Sequence, residues 1–414
     1  MTLVRLRRPH YAWMVCLGGA LSLFSTVGLG VNVFTIYQPE IIALRDFTNA
    51  QGSWITTTRS LFILVALLTV NFLCRKLGLR LVMGLGTALV GLSCLAFAFA
   101  RSFPSYCFAA ALTGLGYCYG GMVPLSLAIG AWFQDRRNLA LGLATAGSGV
   151  STIFAPLLIT RIIRSQGMRA AFLWEGATIL AVAVAVLALV RDDPASMGLS
   201  PYQAEHTRDD RSSRTEPRPL GRWYWCTLFL AAFLVGGPGG PGFSHLTVLY
   251  TTEGYSPAAV AGLMSYAGVT ICVGKILCGQ VYDRLGGRSG NYYTFGAILL
   301  CMALCCLAPL GGMILPVLAI TALGLGLPVS AVSPTVWAAD LGGSAGYAGA
   351  VRAINIAYTL GVLTFGPLPG LLADRLGSYV PAYGLFALGL VVALTLVQLA
   401  YRRVGSGNRP SRRD

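Results

Sequence analysis

The sequence predicts an all-α membrane protein of twelve transmembrane helices arranged as two six-helix halves, and three observations lead to that prediction. Of 414 residues 55% are apolar and only 11% charged, with a mean hydropathy of +0.68, a balance that places most of the chain in lipid rather than water. Apolar stretches such as Leu81–Ala100 recur at a length that crosses a hydrocarbon core of about 30 Å. The two halves also repeat each other. Ala111-Leu-Thr-Gly-Leu-Gly116 matches Ala319-Ile-Thr-Ala-Leu-Gly324, and Cys74-Arg-Lys-Leu-Gly-Leu-Arg80 matches Tyr282-Asp-Arg-Leu-Gly-Gly-Arg288, both at an offset of 208 residues. Ala155-Pro156, ahead of Met168-Arg-Ala-Ala-Phe172, answers Gly366-Pro367, ahead of Tyr379-Val-Pro-Ala-Tyr383, at 211. Such a repeat points to two bundles facing each other around a central site, the organisation of a transporter.

Hydropathy and turn signals place spans 1 to 12 at about 11–38, 53–73, 79–100, 104–132, 139–163, 168–190, 222–250, 256–282, 290–309, 312–338, 345–369 and 380–401. The halves are then residues 1–190 and 222–403, with a linker at 191–221 and a tail at 404–414. The linker is rich in Arg, Asp, Ser and Pro and nearly devoid of apolar residues, so it reads as a flexible connection. With both termini cytoplasmic, 21 Lys and Arg fall in inner segments and six (Arg45, Arg101, Arg161, Arg164, Arg169, Arg375) in outer ones. That bias favours this orientation. Arg5, Arg7 and Arg8 precede a full-length span without a small-residue cleavage site, so no removable signal peptide is expected, and the tails suit a bacterial inner (plasma) membrane.

The same distribution argues against several functions. A net charge of +15 suggests nucleic acid, but the arginines lie between spans and at the ends, where they report topology. Eleven cysteines are scattered through apolar segments, and Cys301, Cys305 and Cys306 lack His or carboxylate neighbours, so packing rather than a metal or disulfide framework is expected. Gly274-Lys275 resembles the end of a nucleotide loop, yet Gly268 stands six residues earlier and Ile276 replaces Ser or Thr. No nucleophile and base cluster together. Neither an enzyme nor a cofactor is expected.

The segment Gly279-Gln-Val-Tyr-Asp283-Arg284-Leu-Gly286-Gly-Arg288 resembles the G-x-x-x-D-R-x-G-x-R loop of the major facilitator superfamily, and the resemblance covers the chain apart from linker and tails. Glycines there permit a tight turn, and Asp283 can cap a helix or pair with an arginine at a gate. The first-half copy departs, with Asn71 and Arg75 at the Gly and Asp positions. His10-Tyr-Ala-Trp-Met-Val15, Trp132-Phe-Gln-Asp-Arg136-Arg137-Asn-Leu-Ala140-Leu-Gly142 and Gly366-Pro-Leu-Pro-Gly370 are similar to the monocarboxylate and oxalate–formate branch. That branch carries an Arg in span 8 where Gly268-Val-Thr-Ile-Cys-Val-Gly-Lys275-Ile-Leu-Cys-Gly279 has Lys275. Its animal members place a proton-linked Asp at the position of Ile271 and a Lys at that of Val31, and both departures weigh against proton symport of the animal type.

Three basic residues lie inside spans: Arg59, Lys275 and Arg352. Lys275, eight residues before Asp283, sits about 12 Å into the bilayer, where a charge costs ~3 kcal/mol unless it faces a cavity or partner. It is the leading candidate to bind a carboxylate, the alternative being a snorkelling lysine. Arg352 in span 11 can hold a second carboxylate oxygen or gate the cavity, or else snorkel or pair with Asp340. Members that carry oxalate use basic residues on spans 8 and 11, a pair that Lys275 and Arg352 resemble in type. Arg59 is expected to snorkel or meet Glu40 or Asp46 at the outer side, substrate contact being the lesser reading.

Span 7 contains Gly236-Gly-Pro238-Gly-Gly-Pro241-Gly242 and cannot stay an unbroken helix, so Pro238 and Pro241 mark either a gating break or a packing kink. His245 can exchange a proton near neutral pH or simply hold hydrogen bonds. Asn32 and Tyr119 can donate to a carboxylate or bridge helices. Together these features imply a carrier of small organic anions that rocks its halves around a central cavity, with Lys275 as counter-charge, lipid and a small carboxylate as partners, and a proton or counter-anion as the open second ion. A monomer is expected. The rival within transport is export of drugs or lipophilic metabolites, which calls for an apolar cavity and a membrane-embedded acid; Glu175 is the only near fit. A transporter-like sensor needs a larger cytoplasmic module than the linker and tail provide.

Overall fold

A computed structural model describes residues 10–134, 137–203, 222–330 and 332–406. Among these residues nine helices are long and apolar enough to cross a membrane, and a tenth if the bent pair Trp223–Gly242 and Leu246–Thr252 is one span. The shorter Ile314–Ser330 and the second leg of Pro257–Cys305, beyond a non-helical Gly286, complete twelve. Spans 1 to 6 are Ala12–Arg45, Asn49–Leu77, Leu79–Phe99, Phe103–Trp132, Ala140–Gln166 and Met168–Leu189. Local chemistry sets their ends. Span 2 opens on a capping box, in which Thr48 and Gln51 exchange hydrogen bonds. It stops at Gly78, whose φ of 83° only glycine adopts freely.

Two spans depart from α geometry at corresponding places. Phe24–Val33 in span 1 and Pro238–Gly242 in span 7 are both π-helical, and their separation falls near the offset of the sequence repeat. The two legs of span 7 meet at 52°. Prolines at 238 and 241 remove two amide donors there, so the α ladder cannot close. The predicted break is therefore present.

In two places the structure departs from the sequence-based expectations. The start of the linker is anchored at three points although most of it is exposed: Asp192 accepts from the Arg80 amide at 2.8 Å, the Trp132 indole donates to the Arg191 carbonyl at 3.0 Å, and the Tyr202 ring lies edge-on or tilted among His10, Trp13 and Phe133. One aromatic ring and one carboxylate suffice to anchor a segment whose average composition is polar; the remainder, 204–221, lies outside the described residues, as do 1–9 and 407–414. The chain also stays helical from Ser333 to Phe365, through the predicted connection between spans 10 and 11. No proline interrupts it between Pro334 and Pro367.

The halves meet at the face opposite the chain termini, hereafter the distal face. Span 2 lies against span 11: Asn49 and Ser53 sit where side chains on Gly370 would project, and Thr57 does the same at Gly366. Span 5 crosses span 8, with Gly149 against the Cys272 sulfur and Gly268 against the backbone of Thr152 and Ile153. Nearer the termini the same two helices separate, because Gly142 and Gly279 face open space. Among the described residues, a cleft between these two spans is thus closed distally and open on the termini side.

Candidate substrate path and gate

Gly268, Cys272, Lys275 and Gly279 recur every three or four residues and form one stripe along span 8. The opposite stripe, Thr270, Gly274 and Cys278, packs on span 10, where Thr270 donates to the Ile320 carbonyl at 3.3 Å. Since Gly268 and Cys272 touch span 5, Lys275 falls one turn further toward the termini, where the crossing opens. It is half-buried. Among the described residues it forms no hydrogen bond or ion pair. The side chains of Arg352 and Asp283 lie outside the described residues, and Asp340 accepts from the Tyr401 hydroxyl at 2.9 Å. Arg284 and Arg288 are exposed around the turn at Gly286 (φ 77°), and Gln398 of span 12 donates to the Arg288 carbonyl at 2.9 Å.

The other candidates have defined partners. Asn32, in the π segment of span 1, donates to the Thr152 hydroxyl of span 5 at 2.9 Å. The Tyr119 hydroxyl bonds Thr69 of span 2 at 2.8 Å, which ties two helices of the first half together. His245 is fully buried at the distal seal, with Nδ1 3.0 Å from the Pro241 carbonyl and Nε2 2.8 Å from the Ser53 hydroxyl of the other half. A carbonyl only accepts, so Nδ1 carries a proton, and in the neutral ring Nε2 accepts from Ser53. Beside it, Asp374 of span 11 accepts from the Asn49 amide at 3.0 Å and the Ala50 amide at 2.8 Å, the exposed first donors of span 2. Tyr379 donates to Asn49 Oδ1 at 2.9 Å.

Arg59 behaves differently from the sequence-based expectation. It neither snorkels nor reaches Glu40 or Asp46: it is 6% exposed, and its guanidinium lies 5.6 Å from the Phe34 ring centre. It interacts electrostatically with Tyr117 of span 4 and His245 of span 7, and Tyr117 in turn with Tyr358 of span 11. No hydrogen bond or ion pair to Arg59 exists among the described residues. Its nitrogens are also not among the fully enclosed polar atoms without partners. An unpaired arginine at the centre of a span costs at least ~2.5–3.5 kcal/mol, and one ring returns only about 0.5–2. The available signal was the polar stripe Ser53, Thr56, Thr57 and Ser60, all buried, which marks the protein-facing side of span 2 and carries Arg59 with it.

Residues 15–351 match the family model described as Major Facilitator Superfamily. The chain belongs to the major facilitator superfamily. Among curated relatives, monocarboxylate transporter 12 of Rattus norvegicus is 24% identical over 94% of this chain and 85% of its own length. Monocarboxylate transporter 13 of Bos taurus is 25% identical over 93% and 89%. Of solved structures, the nucleoside transporter NupG aligns at a TM-score of 0.74 with 12% identity, covering 94% of this chain and all of that one. A bacterial homologue of the lysosomal transporter Spinster, inward-facing and unoccupied, aligns at 0.68 with 15% identity, over 98% and 100%. These structures establish the facilitator fold of two pseudo-symmetric bundles, and relatives and fold alike are those of transporters. Within that fold the closed distal face and the split at Gly142 and Gly279 describe one end state of a facilitator's cleft.

Proposed function

We propose that this facilitator is a secondary active transporter of small organic anions, monocarboxylate or oxalate/formate-like, with Lys275 as the counter-charge for the substrate carboxylate. The observation that carries this reading is a half-buried lysine, unpaired among the described residues, on the stripe of span 8 that faces the open part of the cleft. There a carboxylate supplies the missing charge under weak dielectric screening. The monocarboxylate transporters among the relatives support the substrate class. With the termini in the cytoplasm of a plasma membrane, the cleft faces inward. The halves then rock about residues 1–190 and 222–403, Pro238 and Pro241 bend span 7, and the turn at Gly279, Asp283, Arg284, Gly286 and Arg288 governs the inner mouth. Arg352 is the second cation for a doubly charged substrate; Asn32, Tyr119 and His245 supply polar contacts once their present bonds exchange. A proton or counter-anion balances the charge, and a monomer suffices.

Export of lipophilic compounds is less well supported, because the one deeply buried acid among the described residues is not in the cleft. Glu175, 5% exposed, accepts from the Tyr37 hydroxyl at 2.8 Å between spans 1 and 6 of the first half. Counterflow of labelled mono- and dicarboxylates into proteoliposomes, for the parent, Lys275→Ala and Arg352→Ala, tests the proposal. Saturable exchange that falls at least tenfold in folded Lys275→Ala is expected. Flux indifferent to Lys275, or none for any acid, sinks it.

A further inference from the structure

We infer that Arg59 is a second carboxylate-binding residue, a deep station at the closed end of the cleft that holds the acid after it has passed Lys275. The inference rests on the carboxylate reading above and extends it to a residue that none of the motifs singles out. Its basis is the cluster around Arg59: a cation only 6% exposed, without hydrogen bond or counter-ion among the described residues. The first half contributes Phe34 and Tyr117 to its surroundings, the second His245. His245 is committed to Ser53 and Pro241. Phe34 offers only the face of its ring. The Tyr117 hydroxyl donates, as does the guanidinium fork, and among the described residues nothing anionic answers them. A planar two-oxygen anion fits that set of donors, because the fork binds a carboxylate bidentately while a phenol donates to an oxygen from the side.

Depth separates this position from Lys275. Arg59 stands ten residues after Asn49 and Lys275 eighteen after Pro257, and both helices start at the distal face. Eight residues of helix amount to about 12 Å. Side chains on both lean toward the helix N-terminus, that is, distally, so the offset persists. A short acid is smaller than that gap and occupies one cation at a time. The path therefore holds two stations in series for a monocarboxylate rather than one clamp for a dicarboxylate. At the deep station the ligand touches both halves, which is where an acid must sit to be released on the other side.

Calorimetric titration of the purified full chain with formate, acetate, pyruvate, lactate and oxalate tests this, using the parent, Arg59→Met, Arg59→Lys, Tyr117→Phe and Lys275→Ala. For the acid that binds the parent, Arg59→Met is expected to weaken binding at least tenfold, Arg59→Lys to recover part of it, Tyr117→Phe to lose a few-fold, and Lys275→Ala to keep a measurable site. Parent affinity in Arg59→Met overturns the inference and leaves the Lys275 reading intact if Lys275→Ala abolishes binding. If Arg59→Met is not recovered folded, parent affinity in both Arg59→Lys and Tyr117→Phe overturns it instead. If no acid of the panel binds the parent, the carboxylate reading fails and takes this one with it.

Discussion

Asp374 and Asp192 do the same chemistry in different places. Each carboxylate accepts backbone N–H groups at the start of a span, Asp192 at span 3 within one half and Asp374 at span 2 across the two. Such a contact gains from the positive end of the helix dipole, by about 0.3–1 kcal/mol. Asp374→Asn should therefore shift the carrier away from the distally closed state by roughly two- to fivefold, read as a longer distance between spin labels on spans 2 and 11; an unchanged distance distribution rejects the role. Tyr37→Phe leaves the buried Glu175 without its donor and should cost about 1–3 kcal/mol, seen as a lower melting temperature with transport specificity retained. The cations show how far single residues could be read from sequence. The position of Lys275 along span 8 is legible because depth along a helix follows from counting residues. The environment of Arg59 depended on which way span 2 turns and on rings from three other spans, none of which is close in sequence.

Helix crossings explain why the cleft opens where it does. At Gly268 an added Cβ would lie 2.8 Å from the Ile153 amide nitrogen, whereas Gly279, eleven residues on, has nothing within 4 Å. Gly268→Ala should thus wedge spans 5 and 8 apart and destabilise the distally closed state by about 1–3 kcal/mol, while Gly279→Ala leaves it unchanged; equal thermal shifts for the two would contradict the crossing. Most spans were visible in the sequence, since apolar length and glycine or capping signals mark them directly. The break in span 7 was visible too, as Pro238 and Pro241 forbid regular bonding. Its counterpart in span 1 was not: Phe24–Val33 has no proline, and its close approach to span 5, with Gly28 against Ser151, joins residues far apart in sequence. The anchored start of the linker was hidden for a similar reason, because Tyr202 finds its aromatic partners on spans 1 and 4.

For the whole molecule, one closed and one open face mean that labelling should be one-sided. In a background stripped of its eleven cysteines, Gly142→Cys and Gly279→Cys should react with a membrane-impermeant thiol reagent from the termini side, and from the other side only during turnover. Reaction of either from the distal side at rest would contradict the closed seal. The repeat at about 208 residues was legible as paired sequence and returns as paired π segments in spans 1 and 7, yet the seal itself is asymmetric: an acid of the second half meets amides of the first, and His245 meets Ser53. Because Asp374 reads main chain, no residue of span 2 has to change when position 374 does. This one contact, unlike the His245–Ser53 and Tyr379–Asn49 pairs beside it, leaves no pair of co-varying positions for sequence comparison to detect, and a charge reversal at 374 has no compensating reversal that could restore it.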